Sequence, residues 1–399
     1  MGTKRIWGFV AFLVVVLVAS LWWWRPGQTY SPSVMVTLLH PAHRLDNFRN
    51  MTQVFPYRTV TASDTPYTFP SGAALTLPET FNHDGHTVLT DEFLSRTETT
   101  GLMVVQGGEQ RFQQFYQGTD ADHRLTSWSV AKSVVSTLLA MAHNDGAIHS
   151  LSDPVSFYIP ELASSGWGPV PLEDLLRMAS GIDFAEIYDQ RFSDINMLFY
   201  RAFLLGQPMR DIIATRGSAE PSGQRFQYIS PNTEILAWVI AEATGQSLSA
   251  YASEKLWQPL GMREAYWSVD GGGKELGFCC LNMVLEDYAK LGQLYLQQGQ
   301  WQGQDLLPPT WVAEATKRPE PWLAAGHGYE ERGYGYHVWV PRDPDGEYFF
   351  NGVWGQTVWV SEHHDVVIAK TSVDPDFRPH MAEVISFMRA VSAHAAASL

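Results

Sequence analysis

Apolar residues run without a charged interruption from Ile6 to Trp24, a stretch that as a helix measures about 28 Å, close to the hydrocarbon thickness of a bilayer. Lys4 and Arg5 precede it, Arg25 and Pro26 end it, and Trp22, Trp23 and Trp24 stand where amphipathic rings collect at a membrane interface. The pattern predicts one spanning helix in contact with lipid through residues 6–24. Residues 1–25 form a cytoplasmic start and signal anchor, and the rest is extracytoplasmic, periplasmic in a Gram-negative cell. A secretory signal peptide with Val18-Ala19-Ser20 as its cleavage site is the competing reading, and it exports the same residues 26–399.

Residues 26–95 hold Pro32, Pro41, Pro56, Pro66, Pro70 and Pro78 and few long periodic runs, so they are expected to form an extended lead-in. From 101 to 116, apolar and polar positions alternate on both sides of Gly107-Gly108, which predicts a β-hairpin. Val130, Val134, Val135, Leu138 and Leu139 then recur at helical spacing before Gly146, predicting a buried helix. Further helices are expected over 172–178, 233–243 with Gly245 as terminator, and 285–297. Short runs rich in Val, Tyr, Trp and Phe predict strands over 334–340, 348–352, 356–361 and 365–371, with a helix after Pro379. Strands at both ends and helices between describe an α/β (α+β) domain over 96–399: an antiparallel sheet flanked by helices, with a helical subdomain over roughly 140–320.

Composition narrows the function. With 45% hydrophobic and 17% charged residues the chain can fold around a large core, and a formal net charge of −15 leaves no basic surface for nucleic acid. Cys279 and Cys280 are adjacent and cannot staple distant segments, so they are expected as two small residues packed in a core strand. The histidines of His83-Asp84-Gly85-His86 and His363-His364-Asp365 lack helical ligand spacing, and Gly271-Gly272-Gly273-Lys274 lacks the glycine and hydroxyl spacing of a phosphate loop. No metal and no cofactor is expected.

The chemistry lies in Ser129-Val130-Ala131-Lys132. Three positions apart at a helix start, the hydroxyl and the amine project from one face and can share a proton. A serine hydroxyl is a weak nucleophile at neutral pH, and a lysine held neutral by burial activates it. Lys132 stands within an apolar helix, where a cation is costly without a purpose. The absence of any G-x-S-x-G segment removes the α/β-hydrolase route to a serine nucleophile.

Thr126-Ser127-Trp128-Ser129-Val130-Ala131-Lys132-Ser133, followed by Asp153-Pro154-Val155, Leu175-Leu176-Arg177-Met178-Ala179-Ser180-Gly181, Leu256-Trp257-Gln258-Pro259-Leu260-Gly261-Met262, Asp287-Tyr288-Ala289-Lys290 and Gly352-Val353-Trp354-Gly355-Gln356, resembles the class C branch of the serine β-lactamase-like superfamily. Within it the chain is similar to the 6-aminohexanoate-dimer hydrolase-like and family VIII carboxylesterase-like proteins. The resemblance spans roughly residues 95–390. It implies a β-lactamase/transpeptidase-like fold and a third catalytic residue, Tyr228, expected to act as a phenolate stabilised by the Lys132 ammonium. It also implies an oxyanion hole from the backbone N–H groups of Ser129 and Val353, and a substrate pocket that includes Tyr188, Asn351, Trp354 and Gln356. Ser230 and Phe350-Asn351-Gly352 depart from the asparagine and the K-T-G triplet of the β-lactamases. The missing cation points away from β-lactams and toward a small neutral ester or amide. A non-catalytic, penicillin-binding-like module that binds a cell-wall peptide or partner at the membrane is the rival reading.

Overall fold

The computed structural model describes residues 2–24, 31–317 and 320–398. Its centre is a seven-stranded sheet in the order Arg332–Tyr334, Trp339–Pro341, Glu347–Gly352, Gln356–Ser361, Val366–Ser372, Thr99–Gln106, Glu109–Phe115, with every neighbouring pair antiparallel. The alternation of the sequence explains why both faces are covered. Val358, Val360, Val367, Ala369, Met103 and Val105 point into one core, while Trp359, Val366, Ile368, Leu102 and Val104 point into the other. The first face takes the helices Val130–Asn144 and Leu285–Leu296, and the second takes Met381–Ala397. Because Val366–Ser372 pairs with Thr99–Gln106, the first and last segments of the domain meet in mid-sheet, with the helical region inserted between them.

Gly292 sets how closely the helix Leu285–Leu296 lies on the sheet. A Cβ there would meet Val367 at 2.6 Å and Val358 at 2.8 Å, so only a hydrogen fits between helix backbone and strand side chains. The same helix buries an ion pair, with Lys290 Nζ donating to Asp287 Oδ1 at 2.9 Å and to the Gly261 carbonyl at 3.0 Å.

The hairpin around Gly107-Gly108, the helix ending at Gly245, and the strands over 347–372 form where the hydrophobic pattern puts them. Two expectations are corrected. The run over 334–340 is two strands, not one: it reverses through Gly335 and His337, the latter at φ +57°. His337 is buried, with Nδ1 2.9 Å from the Leu176 carbonyl and Nε2 2.9 Å from Thr233 Oγ1, so aromatic alternation disguised a turn.

The segment expected as an extended lead-in is folded. It holds three short helices, Pro32–Met35, Arg44–Arg49 and Met51–Val54, then a strand Tyr57–Val60 paired with Ala265–Ser268, a hairpin Thr80–His83/His86–Leu89 and a helix Thr90–Arg96. Phe48, Met51, Val54 and Phe55 fill the first core; Phe81 and Phe93 fill the second. Each element contributes one or two apolar side chains, too few to create a period, and Pro32 begins a helix instead of preventing one.

The helix Gly2–Trp24 contains one stretch, Arg5–Trp24, long and apolar enough to cross a bilayer, and none of it is buried against the rest of the chain. A membrane anchor and a signal sequence both have this form. Arg25 and Pro26 lie outside the described residues.

Replacing Gly292 with Val forces helix and sheet apart. The expected cost is about 1–3 kcal/mol, read as a lower urea midpoint at unchanged slope; an unchanged midpoint contradicts the close approach.

Candidate active site

A small sheet fixes the segment before Ser129. Leu125–Thr126 pairs with Leu281–Met283, and Ser127 N donates to the Leu281 carbonyl at 2.7 Å. Trp128 then adopts φ +45°, a conformation disfavoured for a bulky residue and one that persists only where its surroundings enforce it. The chain thereby turns and delivers Ser129 as the residue capping Val130–Asn144. The strand Glu347–Gly352 ends against this point. A Cβ on Gly352 would lie 2.4 Å from the Ser127 carbonyl and 3.2 Å from Ser129 N, so the close approach requires glycine. Val353 follows in a short 3-10 turn and lines the same two cavities as Ser129.

One helical turn on, Lys132 is buried, and its Nζ donates to Ser129 Oγ at 2.9 Å and to the Phe278 carbonyl at 2.9 Å. Burial pushes the ammonium down to about 8, with Glu186 and Glu234 opposing the drop. Glu234 is itself held by Gly277 N at 2.7 Å and Trp238 Nε1 at 3.0 Å, so it braces the turn that presents the Phe278 carbonyl. Nζ lies 5.1 Å from the centroid of the Tyr228 ring. Gln227 straps that tyrosine in place, its N donating to the Met178 carbonyl and its Nε2 to the Phe184 carbonyl, both at 2.7 Å.

The structure thus brings Ser129, Lys132 and Tyr228 together, and the surroundings of the phenol disfavour the charge expected on it. Burial raises the Tyr228 hydroxyl well above its ordinary range, the Glu186 carboxylate adds to the rise, and the hydrogen bond with Ser129 opposes it. A phenolate there would be half-buried and would face a negative neighbour. These surroundings favour the neutral phenol, while burial pushes the Lys132 ammonium down and so favours a lone pair on the amine.

Two cavities flank Ser129, one of about 480 Å³ and one of about 180 Å³. Tyr188 lines both, Trp354 lines the larger, and Asn351 lines the smaller, where its Oδ1 is buried without a hydrogen-bond partner. Gln356 lines neither, which corrects its placement in the pocket: it is buried, and its Nε2 donates to the Ser372 carbonyl at 2.7 Å.

Sequence reading missed several groups here. Glu186 accepts from Ser230 Oγ at 2.8 Å and from Tyr188 Oη at 2.7 Å; it was legible only as a neighbour of Tyr188. A cation absent from one strand position is not absent from the site. Phe350 points into the core against Tyr295, while Arg332 and Arg378, from other segments, line the smaller cavity. Arg332 is sandwiched 4.4 Å from the Tyr329 and Trp339 ring centroids with Glu331 beside it, and Arg378 pairs with Asp189 at 3.3 Å. Cys279 and Cys280 are bonded to each other in the turn before Leu281–Met283, not packed as free thiols in a strand. Cys279 lines the larger cavity beside Ser129.

The Beta-lactamase family model matches residues 89–385. The 6-aminohexanoate-dimer hydrolase of Paenarthrobacter ureafaciens is 27% identical over 297 residues, which are 72% of this chain and 75% of that protein. Among solved structures, a candidate 6-aminohexanoate-dimer hydrolase from Bacillus anthracis superposes with TM-score 0.82 at 23% identity, covering 93% of this chain and 97% of its own. EstCE1, a hydrolase with promiscuous acyltransferase activity, superposes with TM-score 0.60 at 13% identity over 77% of this chain and 96% of its own. At these identities the two structures establish the fold.

The Lys132 environment is directly testable by NMR of the side-chain nitrogen. Its titration is expected near pH 8 and moves to lower pH in Glu186→Gln, which removes a charge that favours the ammonium. A midpoint near that of a free lysine contradicts the buried geometry.

Proposed function

The chain belongs to the Beta-lactamase family, and on that premise we propose that it is a serine hydrolase cleaving a small-molecule ester or amide through an acyl-enzyme on Ser129. The observation that carries this reading is the 2.9 Å contact between Lys132 Nζ and Ser129 Oγ, made by an amine that burial holds at about 8. In its neutral form Lys132 takes the hydroxyl proton as Ser129 Oγ attacks the carbonyl carbon. The N–H groups of Ser129 and Val353 receive the oxyanion. As the bond to the leaving oxygen or nitrogen breaks, the neutral Tyr228 phenol gives that atom its proton and is reprotonated from the Lys132 ammonium. Water then repeats the sequence on the acyl-enzyme, releasing the acid and free Ser129.

The names of the relatives, a 6-aminohexanoate-dimer hydrolase and a hydrolase with promiscuous acyltransferase activity, agree with ester or amide substrates. The helix Gly2–Trp24 is read as the anchor that holds the domain on the extracytoplasmic side of the membrane. No step of this mechanism calls on a metal or organic cofactor.

Three measurements follow from this reading. A fluorophosphonate probe should label Ser129 in the folded protein. Ser129→Ala abolishes labelling, and Lys132→Met slows p-nitrophenyl ester cleavage by at least about 10³-fold. Failure of Ser129 to label favours the penicillin-binding-like module that binds without turnover. The ester rate should climb with pH to a plateau above about 8, because the active form is neutral Lys132; a rate flat between pH 6 and 9 excludes Lys132 as the base. Because Arg332 and Arg378 put cations back beside Ser129, the expected preference for esters over nitrocefin rests on the names of the relatives, and rapid nitrocefin turnover without ester cleavage overturns it.

A further inference from the structure

Beyond the large cavity that holds Ser129 lies a third, of about 250 Å³. The two share Leu39, Trp128, Asn196 and Phe199 as walls, so the third cavity adjoins the Ser129 site with the Trp128 and Phe199 side chains between them. No charged side chain lines this cavity among the described residues. Its single amide, Asn196, already donates to the carbonyls of Tyr188 and Gln190 at 2.9 and 2.8 Å. A π-helical turn, Tyr200–Leu204, borders it. Such a turn inserts a residue into a helix and re-aims side chains, and Tyr200, Phe203 and Leu204 all line the cavity. At its lip Val36, Leu39 and Tyr200 are 57%, 46% and 41% exposed, an apolar rim open to the outside.

The smaller cavity adjoins the larger one, sharing Ser129, Tyr188, Asp189 and Arg378 with it, and carries further polar groups of its own. Tyr228, Arg332 and Asn351 line the 180 Å³ cavity and neither of the other two. The phenol that delivers a proton to the leaving atom must stand on the leaving-group side, so the acyl portion extends the other way, over Trp128.

From this division we infer that the substrate is an amphiphile. Its acyl portion is an aliphatic chain seated in the Trp128–Phe199–Phe203 cavity, and its leaving group is a polar head facing Arg332 and Asn351. The inference rests on the serine-hydrolase reading and names its substrate class. Residue 35 follows the end of the apolar helix by eleven positions, at most about 40 Å of chain. An anchored helix therefore keeps the rim within reach of the bilayer, where such amphiphiles are held.

The test uses the full chain in lipid nanodiscs and p-nitrophenyl esters from acetate to octanoate. Burial of each methylene is worth a factor of about four at most, so kcat/KM is expected to rise about two- to fourfold per methylene. The double variant Val36→Glu/Leu39→Glu, at exposed positions, is expected to lower the octanoate-to-acetate ratio of kcat/KM at least tenfold. A flat or falling series, in protein that cleaves the acetate and takes the fluorophosphonate label on Ser129, overturns the chain cavity and leaves the hydrolase standing. A rising series that the double variant does not alter overturns the assignment to this cavity. Absence of both turnover and label overturns the hydrolase reading, and the inference falls with it.

Discussion

The arrangement depends on one amine being kept out of water. A lysine inside an apolar helix costs free energy, and Lys132 meets that cost partly by donating to the Phe278 carbonyl and to Ser129 and partly by giving up some of its proton affinity. Everything that surrounds it keeps this compromise in place. The Leu125–Thr126 and Leu281–Met283 pairing aligns the two segments, Glu234 braces the turn that supplies Phe278, and the Cys279–Cys280 bond closes that turn immediately afterwards. The backbone strain at Trp128 and the glycine at 352 follow from the same need to bring a strand end, a helix start and a buried amine to one point.

Most of this was legible where the sequence carries a period or an ordered motif. The Gly107-Gly108 hairpin, the Ser129 helix and the late strands are long enough, or regular enough, for alternation to identify them. The segment over 31–95 was not legible, because its cores are filled by isolated residues such as Phe48, Phe55 and Phe93, which pack against Trp128, Phe203 and Phe387 on other segments of the chain. At the site, Ser129, Lys132 and Tyr228 came from spacing and resemblance. Glu186, Arg332 and Arg378 could not, since a charged residue in a loop or at a strand end reads the same whether it faces solvent or a cavity. The surroundings of Tyr228 were not legible for a related reason. Sequence places a lysine near a phenol, but only geometry shows the Glu186 carboxylate beside that phenol and the loss of water around the lysine.

Because Tyr228 borders only the small polar cavity, the site has a direction. In the proposed mechanism proton delivery falls on the Arg332 side, while the larger cavity adjoins, across Trp128 and Phe199, the uncharged space bordered by the π-helical turn. The N-terminal residues 31–55 form part of that apolar wall, so the folded lead-in belongs to the site as well as to the core.

Intact-protein mass spectrometry of the enzyme quenched during turnover of an octanoyl ester tests the central claim most directly. The account predicts one acyl adduct, mapped by digestion to Ser129, that accumulates and decays with substrate and is missing in Lys132→Met. Turnover with no adduct, or with an adduct on another residue, contradicts it.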